Sequence, residues 1–434
     1  MNVELTPVPL RGTITAIPSK SLAHRALIAA ALGTAPCELT CPATSRDIDA
    51  TAACLVALGA GIKRTHGGFL VTPLVQHEAG RAATLDCDES GSTLRFILPV
   101  AAALGATATV TGRGRLAARP LGNLVAELCR HGITATSERL PLTIEGTLEP
   151  GTFVIDGTVT SQYVTGLLLA ATQLAAPSRL LVTTPIESWG YVAITLAVLE
   201  RFGAQVTHGP LTVRGTSYHE FCITPGPLSA GGHVRVEGDW SNAGFWLAAA
   251  ALGAPVAVTG LNPASVQGDR AILAALEAFG VVWDVQDRAG VATITAAQPA
   301  SHAACVNVAT MPDAAPELAL VASLVPGVSR IEGAARLRVK ESDRLATIAA
   351  GLTALGAHVS EEPDALAIQG VAHLTGGVVD AANDHRIAMM AAIAATRATA
   401  PVTITGAECV SKSYPAFFDD YRALGGLVHT LEVT

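Results

Sequence analysis

Only four of the 434 residues are lysine (Lys20, Lys63, Lys340 and Lys412), and charged residues together make up 15% of the chain. With a formal net charge of −8, such a chain has no broad basic face, which argues against nucleic acid as a partner. A small anion can still be held where the few basic residues converge. Long apolar runs are also lacking. Half of the residues are apolar, yet the longest uncharged run, Trp240 to Gly268, is interrupted by Gly253, Pro255, Gly260 and Pro263. It reads as a helix followed by a strand, so no membrane association is expected. The eight cysteines form no CxxC pair, and "CELTC" (Cys37, Cys41) finds no second half at zinc-ligand spacing. No metal site is expected from them, only reduced and mostly buried thiols. The opening residues "MNVELTPVPLRG" carry neither a basic segment nor an apolar export-type stretch, so the cytoplasm is the expected location.

What the chain does have is repetition. An apolar helical pattern that ends in Gly and runs into a short β-branched stretch recurs as "CLVALGAGIKR", "LVAELCRHGITAT", "LAVLERFGAQVTH", "ILAALEAFGVVWDV", "IAAGLTALGAHVS" and "DDYRALGGLVHT". Its turn glycines, Gly59, Gly132, Gly203, Gly280, Gly356 and Gly425, follow one another every 69 to 77 residues. Such a period marks repeated structural units. Each unit also has an earlier alanine-rich helix, such as "SLAHRALIAAALG" or "DHRIAMMAAIAATR", followed by a strand such as "ATVTG" or "VTITG". The alternation predicts an α/β fold of six βαβαββ units, with Gly as the helix stop. At this length more than one core is needed. Three units make a half, and the Gly/Pro/Ser-rich "TPGPLSAGGH" (224–233) marks the division. Two similar domains are expected, 14–232 and 1–13 with 233–434, with a ligand site in the cleft between them.

The unusual polar residues collect at the start of each alanine-rich helix and in the loop after the following strand. Helix N-termini present unsatisfied N–H groups and partial positive charge, which suit phosphate and carboxylate. The starts read "PSKSLAHR", "DESGSTLR", "TSQY", "DWSNAG", "MPDAAPE" and "NDHR"; the loops read "RGRLAARP", "PIESWGY", "RVKESDR" and "VSKSYP". Three of the four lysines lie here, with Arg25, Arg95, Arg115, Arg119, Arg344 and Arg386. Plain alternatives exist: Ser241 and Ser342 can be simple caps, Arg119 a surface ion-pair partner, and Lys340 a helical partner of Asp343. Lys20, His24 and Arg25 at one helix start are harder to explain that way, because their charge opposes the helix dipole.

The ordered segments "PSKSLAHRALIAAAL", "SGSTLRF", "RLAARP", "TSQYVTGLLLA", "PDAA", "RVKESDR", "NDHRIAM" and "SKSYPAFF" resemble those of the 5-enolpyruvylshikimate-3-phosphate synthases. The resemblance implies two three-unit domains and transfer of the enolpyruvyl group of phosphoenolpyruvate to the 5-hydroxyl of shikimate 3-phosphate, with release of phosphate. It implies no metal and no organic cofactor; a monomer is the expectation. For shikimate 3-phosphate it carries over Lys20, Ser21, Arg25, Thr160, Ser161, Gln162, Ser188, Tyr191, Asp313 and Lys340. For phosphoenolpyruvate it carries over Lys20, Gly91, Arg115, Gln162, Arg344, Arg386 and Lys412. Lys20, Asp313 and Glu341 would move protons, with Asp313 near the 5-hydroxyl and Glu341 and Lys20 on the methylene and leaving-phosphate side. This sequence departs from the family pattern at Glu89, Ser92, Phe96, Thr160 and Arg336.

Two other readings stay open at this level. One is enolpyruvyl transfer to UDP-N-acetylglucosamine, whose enzymes commonly carry a loop cysteine that "GRGRLAARPLG" lacks. The other is a non-catalytic anion-binding repeat protein, against which Asp313 and Glu341 count because carboxylates weaken simple anion binding.

Overall fold

The six repeat glycines each follow a helix in the left-handed region, from φ +79° at Gly203 to +110° at Gly59. A side chain is strained there, so glycine lets the chain leave the helix and start the next strand. The computed structural model describes residues 1–74 and 82–431. Among these residues the strands form six four-stranded sheets. Each sheet has one parallel pair and two antiparallel pairs, and in four of the sheets a helix joins the parallel strands. In the sheet of Ala82–Asp86, Thr107–Thr111, Leu142–Glu145 and Thr134–Ala135, the first two strands are parallel and the rest antiparallel. The sheet starting at Thr152–Ile155 and that starting at Cys305–Asn307 repeat this pattern. The expected βαβαββ unit is therefore the repeating element, and the fold is α/β.

The chain divides into two compact units, Lys20–Val236 and Met1–Ser19 with Glu237–Thr434. This differs from the expected boundaries, 14–232 and 1–13 with 233–434, for a topological reason. Gly12–Thr15 lies parallel to Val256–Leu261, which holds residues 14–19 with the C-terminal half. His233–Arg235 lies parallel to Cys37–Thr40, which holds 233–236 with the other. Each unit thus completes one sheet with a strand from the far side of a crossing segment. The last sheet is closed likewise: Asn2–Thr6 inserts between Val402–Thr405 and Leu427–Leu431.

In each unit the alanine-rich helices are buried almost all round; in His385–Ala395 every residue is buried. A helix apolar on all faces has no solvent side, and alanine lets its neighbours pack closely. The polar groups are displaced to the helix starts, where Ser90, Thr160, Asp239 and Asp384 accept from backbone N–H groups of the first turn. Among the described residues no helix is long and apolar enough to cross a membrane.

Candidate active site

The Lys20–Val236 unit carries polar groups at four helix starts. Gly91 opens the Gly91–Ala103 helix, and its lack of a side chain has a specific cause: a Cβ there would lie 2.5 Å from Arg119 Nη1 and 2.8 Å from Arg95 Nη1. Two guanidinium groups therefore crowd one helix N-terminus, where the backbone already favours an anion. Arg95 is held in place by donating to Gln162 Oε1 at 2.7 Å and to the carbonyl of Pro120 at 3.0 Å. Gln162 Nε2 in turn donates to Ser92 Oγ at 3.1 Å. Thr160 caps the Ser161–Ala171 helix. Ser188 sits in the left-handed region (φ +52°) just before the Trp189–Arg201 helix, strained backbone of the kind common at functional sites. Lys20 Nζ lies 2.9 Å from Asp47 Oδ2.

Four residues of this half are placed differently from expectation. Arg115 is exposed on the Gly114–Ala118 turn, and Arg119, four residues on, is the arginine that reaches Gly91. Arg25 is fully buried. Its donors go to Thr195 Oγ1, the Ser21 carbonyl, Thr165 Oγ1 and the Tyr191 carbonyl, leaving a single N–H of Nη1 for anything else. Burial pulls its pKa down to about 9, so it stays charged at neutral pH but acts inward, tying the Ser21 and Tyr191 segments together. Tyr191 enters this network through its carbonyl. His24 is also buried, bonded to Thr51 Oγ1 at 2.7 Å. Burial first, then Lys20 and Arg25, hold it well below the ordinary histidine value, so it adds no charge.

The other unit gathers its ionic groups around Asp313, on the Pro312–Ala314 turn. Arg344 Nη1 lies 2.8 Å and Lys340 Nζ 3.4 Å from its Oδ1, and Arg386 Nη2 lies 3.3 Å from its Oδ2. Arg386 also donates to the Asp313 carbonyl at 3.0 Å and to Ser241 Oγ at 2.6 Å. Arg344 is fixed from behind by two bonds to Asp384, at 2.9 and 3.1 Å. Burial lowers the Arg344 pKa, but Asp384 and Asp313 outweigh it, so the shift is upward. Lys412 is buried and donates to the Asn383 carbonyl at 2.7 Å. Asn383 and Ala382 both have positive φ, which bends the chain into the His385–Ala395 helix. Glu341 Oε2 lies 2.8 Å from His385 Nδ1. Arg336 lies on the Ala335–Val339 turn.

Glu341, Asp384 and His385 place one ligand atom each within 4.8 Å of one another, a grouping sequence spacing did not suggest. Its donor set does not suit a cation. Both Asp384 oxygens already accept from Arg344, and also from Ser342 Oγ and the Arg386 N–H. An arginine in contact with the carboxylate also repels a metal ion.

Fold and side-chain placement together define an α/β protein of six repeated units with cationic side chains at several helix starts. Residues 5–421 match the family model described as EPSP synthase (3-phosphoshikimate 1-carboxyvinyltransferase), and the chain belongs to this family. It is 39% identical over 427 residues to the 3-phosphoshikimate 1-carboxyvinyltransferase of Clostridium kluyveri, covering 98% of this chain and 97% of the relative. With that of Clostridium novyi it shares 37% over 437 residues, covering 98% of each. The EPSP synthase structure from Acinetobacter baumannii superposes with a TM-score of 0.79 at 23% identity, covering 99% of this chain and all of that one; this likeness concerns the fold.

Proposed function

We propose that the protein transfers the enolpyruvyl group of phosphoenolpyruvate to the 5-hydroxyl of shikimate 3-phosphate and releases phosphate. The observation that supports this most directly is Asp313 standing against three cations, Lys340, Arg344 and Arg386. A carboxylate is poor for merely holding an anion but is what a reaction needs to take a proton from an attacking hydroxyl. The cations around it then balance the substrate's charge as the C–O bond forms.

In this reading phosphoenolpyruvate is served by Arg95 and Arg119 at Gly91 with Gln162, and by Arg344, Arg386 and Lys412. Guanidinium forks match phosphate and carboxylate in pairs. Ser161, Thr160, Ser188, Ser21 and Lys340 serve shikimate 3-phosphate, with Arg25 keeping their elements in register. Asp313 accepts the 5-hydroxyl proton; Glu341 and Lys20 deliver a proton to the methylene carbon as the C–O bond forms, then take one back from the resulting methyl group as phosphate leaves, which restores the enolpyruvyl double bond. Binding both reactants together removes the entropic cost of their encounter from the chemical step. A cytoplasmic monomer with no metal and no organic cofactor belongs to the same reading. The test is steady-state turnover with phosphoenolpyruvate and either shikimate 3-phosphate or UDP-N-acetylglucosamine. Phosphate release with the first acceptor alone is expected. Release only with the second, or none with either, would overturn the assignment.

A further inference from the structure

One carboxyl near this site has no part in the chemistry above. Glu317, in the first turn of the Ala315–Ala322 helix, is wholly buried, and among the described residues no other residue hydrogen-bonds its carboxyl oxygens; its own backbone N–H is the one hydrogen-bonding group that assists the charged form. The nearest cation is Arg386, whose Nη1 lies 3.7 Å from Oε1, on the side of the guanidinium away from Ser241. The space for this carboxyl is made by Gly244 of the Trp240–Ala251 helix, where a Cβ would come within 3.1 Å of Oε1. A buried carboxyl so poor in hydrogen bonds costs stability, and an apolar side chain of similar size would avoid that cost.

We propose that Glu317 is a positioning residue that acts through Arg386: as the neutral acid it leaves the arginine's charge to the anionic substrate, and as the carboxylate it draws that charge back. This role rests on the proposed function. Arg386 is buried and already shares Asp313, so a second carboxylate behind it would cancel charge that phosphoenolpyruvate needs. The groups facing Glu317 are Arg386 from the His385–Ala395 helix, Asp313 from the turn before its own helix, and Asp269 from the Gly268–Ala271 turn. Burial is the largest influence and pushes Glu317 up to about 8, with Arg386 opposing it and the two aspartates adding to it. Asp269, buried and pushed up to about 7, is a neighbour that would titrate in the same range. The carboxyl is thus neutral below that range and ionises as pH rises through it.

The test is the KM of each substrate between about pH 6.5 and 9.5 for the wild type and Glu317→Gln. In the wild type the KM for phosphoenolpyruvate should rise on the alkaline side, by up to about tenfold one pH unit above the ionisation. The KM for shikimate 3-phosphate should not follow it. Glu317→Gln, which cannot ionise, should lose the rise. A rise that persists in Glu317→Gln belongs to another group, such as Asp269 or Arg25, and overturns the proposal. If Glu317→Gln does not fold, Glu317→Met answers the same question. A wild type whose phosphoenolpyruvate KM is flat over this range overturns the proposal with no variant needed. Absence of turnover at every pH would instead count against the proposed function, so the two failures are distinct.

Discussion

At the residue scale, the site separates groups that touch a ligand from groups that hold other groups. Arg119 and Arg115 make the contrast plain. Arg119 lies against Gly91 while Arg115 is exposed, so Arg119→Ala should raise the phosphoenolpyruvate KM about tenfold to a hundredfold, the worth of a charged hydrogen bond. Arg115→Ala should change it little. Equal effects would place the anion elsewhere. Glu341→Gln keeps size and polarity but cannot exchange a proton, so the single-turnover rate with both substrates saturating should fall roughly 10²–10⁴-fold. A fall below about tenfold would reduce Glu341 to a partner of His385. Glu317 also bears on stability. Its folded pKa is raised from 4.5 to about 8 by burial, so the folded protein keeps a proton that the unfolded chain releases. The stability tied to this group is fully present below the unfolded pKa and is lost as pH rises from there to about 8, by on the order of a few kcal/mol. Denaturant midpoints of Glu317→Gln and wild type should therefore move apart in favour of the variant across that window. A difference that does not change with pH would mean the carboxyl is already ionised in the fold.

At the element scale, the sequence was most legible where one residue type is physically forced. The six glycines were readable because left-handed backbone at a helix end strains any side chain, and the alanine-rich helices because only buried ones are apolar all round. The direction of a side chain on a short turn was not readable. In "GRLAARP" both arginines suit an anion, and the turn Gly114–Ala118 decides which one faces Gly91. Nor does a sequence show that Arg25 and His24 point inward, since the threonines that receive them, Thr195 and Thr51, are far along the chain. Gly91 is where element and site meet. Gly91→Ala leaves the helix intact, because alanine favours it, but pushes Arg119 and Arg95 aside. The expected outcome is an unchanged melting temperature with a raised phosphoenolpyruvate KM; an unchanged KM would show that these arginines do not hold that substrate.

At the scale of the whole molecule, the boundary that spacing could not locate follows from strand exchange. The Gly/Pro-rich stretch 224–233 suggests the division, but the chain continues through it to lay His233–Arg235 beside Cys37–Thr40, and only afterwards enters the other unit. A fragment 20–236 therefore contains every strand of its three sheets, whereas 20–232 lacks an edge strand and the hydrogen bonds it makes. The complementary half has Ser19 and Glu237 already joined, the Ser19 N–H donating to the Glu237 carbonyl at 2.8 Å, so a short glycine link there should connect 1–19 to 237–434 without strain. Both complete halves should unfold cooperatively, since each has its own large core, and 20–232 should melt lower than 20–236. Equal melting of those two fragments would mean that the exchanged strand contributes nothing to its unit. Neither half should turn over substrate alone, because Lys20, Arg95 and Arg119 lie on one and Asp313, Glu341 and Arg386 on the other. Activity in either isolated half would show that the residues assigned here to proton transfer and to anion binding are not all required, and would return the catalytic roles to a single unit.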